Sequence, residues 1–204
     1  MKKVLLAFSL GFLILPIGAR ADVSLLVLEA MGVAGEYTGS GHTAVYLSRV
    51  CLQDMFKLRI CRPDEQGIVI SSYPEMVGGA DYDWMAVPLI AFLYGVEDEN
   101  DIPLYANGEI RRFIRENYRR NNLSSIVPGN ENGTMPEGRW SSMLAVGMTR
   151  DVYRFNVETT LAEDEQFVRE FNNDPVDGKF NKFRRNCADH SKRIINRYFK
   201  GAAK

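Results

Sequence analysis

The sequence predicts an α+β domain in which a small antiparallel sheet packs against a late helix that carries a cysteine. Three observations predict it. Residues 43–47 and 67–73 are short, rich in β-branched and aromatic side chains, and bounded by turn residues. Residues 152–157 alternate with period two, the pattern of a half-buried strand. Asn186 stands directly before a run of helical spacing that reaches about Phe199.

The chain opens with Lys2 and Lys3, an apolar run over 4–15, and Ala19-Arg20-Ala21 before Asp22. These are the positive, apolar and small-x-small parts of a secretory signal. Residues 1–21 therefore read as a cleavable signal peptide, and 22–204 as a single domain that works in the periplasm or is secreted. Pro16 and Gly18 close the apolar run well short of the roughly 20 residues a membrane span requires. The remaining length is enough for one chain segment to bury its own core.

Along that domain, 24–30 is an apolar stretch of strand or short-helix length, broken by the Gly-rich 32–41. Residues 43–47 form a strand headed by His42. Residues 67–73 form a second, ended by Pro74 and pairing antiparallel with the first. The apolar run 84–94 contains Pro88 and reads as a buried helix begun near that proline. Residues 108–118 form a helix capped by Asn107, with Ile110, Phe113, Ile114 and Tyr118 on one face. Residues 121–138, rich in Gly, Pro and Asn, form a long loop or flap. Thr160 and Glu163 make a capping box for a helix to about Phe171, and 172–178 is a turn.

The 25 basic and 26 acidic residues nearly cancel, which argues against a polyanion binder, so no nucleic-acid partner is expected. Arg111-Arg112, Arg119-Arg120 and Arg184-Arg185 read as solvated helix faces. An oxidising compartment pairs thiols, and of the three cysteines Cys51 and Cys61 are the natural pair, at the ends of a connection between the first two strands. Cys187 is left as the free thiol.

Cys187 falls in the first turn of the last helix, where unpaired backbone N–H groups and the helix dipole favour thiolate, the nucleophilic form. Cys187, Ile194, Ile195 and Tyr198 share one face, directing the sulfur toward the core or a cleft against the sheet. A thiol nucleophile needs a base, and the chain has only two histidines. His190 reads as a solvent-facing residue near the helix start, and His42 as the functional one. Two histidines and separated cysteines make no metal-ligand spacing, and no Gly-x-Ser-x-Gly elbow is present.

Gly41-His42-Thr43-Ala44-Val45-Tyr46-Leu47 early, together with Phe183-Arg184-Arg185-Asn186-Cys187-Ala188-Asp189-His190 late, resembles the circularly permuted branch of the NlpC-type papain-like superfamily. That branch includes the lecithin:retinol acyltransferase-like proteins and several bacterial envelope families, and in it histidine precedes cysteine. The resemblance implies a permuted papain-like fold with Cys187 as nucleophile and His42 as base. It also implies a third polar group on the strand after the histidine strand, orienting the imidazole. That strand offers Ser71, Ser72 and Tyr73, with no His, Asp, Glu or Asn. Tyr73 is the choice, since its hydroxyl can accept a hydrogen bond; Ser72 is the alternative, and Asp81 and Asp83 serve if the chain folds back.

The expectation is an exported cysteine-dependent hydrolase or acyltransferase that acts on an amide or ester through a thioester, without cofactor or metal. The resemblance alone suggests peptide, lipid or lipoprotein acyl substrates. A monomer is expected, and peripheral membrane contact is left open. The rival is an envelope binding or structural protein that keeps the fold without turnover, favoured by the lack of an acidic or amide third residue. Residues 84–94 read as core before acyl pocket.

Overall fold

The computed structural model describes residues 21–30, 32–33, 36–37, 41–54, 56–76, 84–175, 180–181 and 183–204. The signal-peptide reading of 1–21 lies outside the described residues except for Ala21, and Asp81 and Asp83 lie outside them as well.

The strands are β1 (Ala21–Leu28), β2 (Gly32–Val33), β3 (Glu36–Tyr37), β4 (His42–Leu47), β5 (Val50–Leu52), β6 (Leu58–Ile60), β7 (Ile68–Ser72) and β8 (Trp84–Pro88). Then come α1 (Leu89–Tyr94), α2 (Gly108–Tyr118), β9 (Val152–Thr159), α3 (Leu161–Asn173) and α4 (Cys187–Tyr198). Five strands form one antiparallel sheet in the order β8-β7-β4-β1-β9. The fold is thus α+β, with the late helix α4 on the sheet.

Side-chain alternation divides the interior into two layers. On one face Leu26, Leu28, Ala44, Tyr46, Val69 and Val87 pack against Phe92 of α1, Tyr118 of α2 and Trp140. On the other, Val23, Val45, Leu47, Ile68 and Ile70 pack against Phe167 and Phe171 of α3 and Ile194 of α4. Phe167, Phe171 and Ile194 are essentially sealed, and burial of each phenylalanine contributes roughly 1.5–3 kcal/mol. The sheet is therefore covered on both sides, with β9 at its edge. Tyr153, Phe155 and Val157 of β9 remain exposed.

The strands expected at 43–47 and 67–73 do pair antiparallel, with Val45 opposite Ile70 and Leu47 opposite Ile68. Between them lies a separate hairpin, β5 paired with β6, and the Cys51–Cys61 disulfide closes it with the two Cα atoms 5.0 Å apart. The bond thus staples an excursion from the sheet; the β4–β7 ladder holds itself. Gly67 allows that ladder to start, because a Cβ there would sit 2.0 Å from the Leu47 carbonyl oxygen.

Three sequence expectations need correction. The run 84–94 is not one helix: Trp84–Pro88 pairs along β7, and Pro88 then stands at the N-cap of α1. An unbroken apolar run suits either element, and the open edge of β7 captures its first half. On α2, Ile114 and Tyr118 are buried, but Phe113 is 62% exposed. Arg119 is not on a solvated face: it is buried, donates to both Glu116 carboxylate oxygens at 2.8 and 2.6 Å, and reaches the Val127 carbonyl at 2.8 Å. That last bond anchors the long loop to the helix before it.

Candidate active site

His42 owes its place to the residue before it. Gly41 brings the chain so close to β1 that a Cβ would lie 2.6 Å from the Leu28 carbonyl oxygen. With that approach, His42 pairs with Leu28 and heads β4 as a 7% exposed side chain. Alternation turns its ring to the face of Ala44 and Tyr46, toward the layer of α1 and α2.

The ring meets two residues of β7. Its Nε2 lies 2.6 Å from the Ser71 hydroxyl, and that hydroxyl donates to the Thr43 carbonyl at 2.9 Å. A serine has a single proton to give. With that proton on Thr43, the oxygen accepts from His42, which assigns hydrogen to Nε2 and leaves the lone pair on Nδ1. Tyr73 does something else: its ring stacks on the imidazole, with centroids 3.8 Å apart and planes 14° from parallel. The Tyr73 hydroxyl accepts from Arg150 at 3.0 Å and donates to the Ser142 carbonyl at 3.4 Å.

Burial pushes His42 down from 6.5 to about 3, helped by the charge of Arg150 and, once it is protonated, of His190, so the ring is neutral at physiological pH. Burial likewise pushes the Tyr73 phenol up; Arg150 opposes this, and Cys187 lies near enough for its charge to add to it. Ser72 is 4% exposed and belongs to the opposite face of β7 from Ser71.

Cys187 is the first residue of α4 and a half-buried free thiol. Asn186 caps the helix, accepting from the amides of Ala188 at 2.9 Å and Asp189 at 3.1 Å, while the Asp189 carboxylate takes the Asn186 amide at 3.3 Å. The helix lies on the face of β4 opposite the imidazole. Ser191, one turn beyond the cysteine, meets Thr43 hydroxyl to hydroxyl at 3.2 Å, and Ile194 packs with Val45 and Leu47. Helix and strand therefore run in the same direction, which brings Cys187 and His42 to the same end of the sheet. Among the described residues no hydrogen bond joins the sulfur to the imidazole.

His190 corrects the sequence reading. It is 3% exposed rather than solvent-facing, its Nε2 is enclosed without a partner, and burial with Arg193 and Arg197 holds it down to about 3. Cys51, Cys61 and Glu65 cluster closely enough to suggest a metal, but both sulfurs are in the disulfide, and Glu65 is held by Arg59 at 2.5 Å and Arg62 at 2.7 Å.

The sequence offers Ser71 beside Ser72 and Tyr73 without singling it out, and it gives no sign of Arg150. Period two from Val69 would have put Ser71 and Tyr73 on one face, but no local pattern marks Arg150, which arrives from irregular chain before β9. Comparison of the chain with protein-family models, with curated proteins and with solved structures finds no match in any of the three.

Proposed function

We propose that the chain is an exported cysteine-dependent hydrolase or acyltransferase of permuted papain-like type, working on an amide or ester in the periplasm or outside the cell. The observation that carries this reading is the relay from Thr43 through Ser71 to Nε2 of His42, which presents the basic lone pair at Nδ1. Cys187 is the nucleophile. Nδ1 takes its proton as sulfur attacks the carbonyl carbon, and the protonated imidazole returns that proton to the departing amine or alcohol. The acyl group is left on sulfur as a thioester, which water or an acceptor hydroxyl or amine then resolves. A neutral imidazole at rest makes the proton transfer part of the attack rather than a preceding ionisation. Ser71, through Nε2, positions the ring in the way a buried carboxylate or amide does elsewhere, and Tyr73 holds the ring flat. The Cys51–Cys61 bond and the leader-like first 21 residues support export.

Two observations favour the rival, an envelope binding protein without turnover. The thiol helix and the imidazole occupy opposite faces of β4, and a ring held down to about 3 is a weak base. Incubation with an acyl-reactive probe such as a p-nitrophenyl ester, followed by mass mapping, separates the two. A label on Cys187, lost on treatment with hydroxylamine, supports the thioester. A native thiol that stays silent until the protein unfolds, or a label equally strong in His42→Ala, overturns the enzyme reading.

A further inference from the structure

Next to the two partners of the Tyr73 hydroxyl lies a cavity of about 340 Å³ with Arg115, Arg139 and Arg150 in its wall. Glu75 is the carboxylate in that wall, and Ser142 and Thr149 add hydroxyls. Among the described residues the wall thus carries three guanidiniums and one acid, and Arg115 is held by the Leu144 carbonyl at 3.0 Å. Arg139 and Arg150 have no carboxylate partner among the described residues, and Nε of Arg150 is enclosed without any acceptor. The enclosed Nε of Arg150 is a donor withdrawn from water, which is ordinarily matched by an anion or an acceptor, and a guanidinium's planar fork suits two oxygens of one group. The cavity also communicates with the candidate site: Arg150 and the Ser142 carbonyl are the two partners of the Tyr73 hydroxyl.

We infer that this cavity is an oxyanion subsite, receiving a carboxylate or phosphate carried by the same molecule that presents its carbonyl to Cys187. Its place in a reaction rests on the acyl-transfer reading; its affinity for an anion does not. At about 340 Å³ the cavity stands at the small end of the usual range for ligand pockets, which suits a small charged group with a few further atoms. A substrate anchored there is oriented before its carbonyl reaches the thiol, which is the positioning contribution that remote binding makes to catalysis.

Calorimetric titration of the full protein at low salt, with inorganic phosphate and separately with N-acetylglycine, tests the subsite. Saturable binding of at least one is expected, weakened about tenfold or more in Arg139→Gln, the low end of what a charged hydrogen bond contributes. The tighter probe names the source, carboxylate or phosphate. Arg139 is exposed, so its variant should melt like the parent. As a mutation-free measure, the bound anion should protect Arg139 and Arg150 from phenylglyoxal in a mass-mapped reaction. Absence of saturable binding, Arg139→Gln binding like the parent, or unprotected arginines would each overturn the subsite. Cys187→Ser should bind both probes unchanged. Intact anion binding with an unreactive Cys187 would sink acyl transfer and leave the subsite standing, and a reactive Cys187 without anion binding would do the reverse.

Discussion

Nε2 of His42 and Oγ of Ser71 lie 2.6 Å apart across the β4–β7 ladder, and the serine proton is committed to Thr43. Ser71→Ala should therefore free the ring to change tautomer and slow Cys187 alkylation about tenfold at neutral pH. Loss of the fully buried hydroxyl should also cost roughly 1–3 kcal/mol, since Thr43 and the imidazole lose their partner. Ser71→Thr, which keeps the hydroxyl, should restore the alkylation rate. Alkylation kinetics beside thermal melts read both effects, and an unchanged rate in Ser71→Ala would remove Ser71 from the mechanism.

Cys187→Ser should abolish thiol labelling and any acyl transfer while moving stability by less than about 1 kcal/mol, because sulfur to oxygen at a half-buried helix start changes little volume. His42→Ala should slow alkylation of Cys187 while leaving the α4 packing on Val45 and Leu47 in place. Circular dichroism melts and iodoacetamide rates on both variants check this. An early-melting Cys187→Ser with an inert parental thiol would make the residue structural.

Acid should loosen the fold in a defined window. His42 and His190 are buried and both held from 6.5 down to about 3. Between those values the unfolded chain carries more protons on them than the folded one, so stability rises with pH. Their contribution is complete above pH 6.5 and is lost as pH falls toward 3, by at most about 1.4 kcal/mol per pH unit for each group. Asp164, which burial pushes up, acts in the opposite sense, so the difference between variants is the quantity to read. His190→Gln should flatten the fall in denaturant midpoint between pH 6.5 and 4; a slope identical to the parent would show that His190 titrates normally.

The Cys51–Cys61 bond closes a separation of 10 residues, which the chain-entropy model values at about 2–3 kcal/mol. Replacing both cysteines by alanine should lower the melting temperature by roughly 5–10 °C for a domain of this size. The His42 to Ser71 hydrogen bond lies in the main ladder outside the staple, so Cys187 alkylation should proceed at the parental rate. A melting temperature equal to the parent's would show that the bond contributes nothing to stability.

What the sequence makes legible is what local chemistry decides. Asn186 before Cys187, Thr160 with Glu163, Asn107 before Gly108 and the β-formers after His42 each act within a few residues, and each marks its element correctly. Ser71 against Tyr73 is a different matter. Which side chain meets the imidazole edge-on and which lies over it depends on strand register, set by Val45 opposite Ile70 and not by any property of either residue. His190 sits near a helix start, where polar residues are usually wet, and only the docking of α4 encloses it. The run 84–94 divides at Pro88 because β7 had an edge to fill.

The contact between Thr43 and Ser191 spans 148 residues of sequence. As the chain emerges in order, β4, β7 and the hydrogen-bonded imidazole come first, and the thiol enters only when the last helix docks. Contacts of such separation form late, because the long loop between them must close first. A chain cut between Ser71 and Asn186 keeps His42 and Ser71 but lacks Cys187, the nucleophile that the proposed mechanism requires. In the proposed mechanism the site is therefore complete only once α4 has docked on β4.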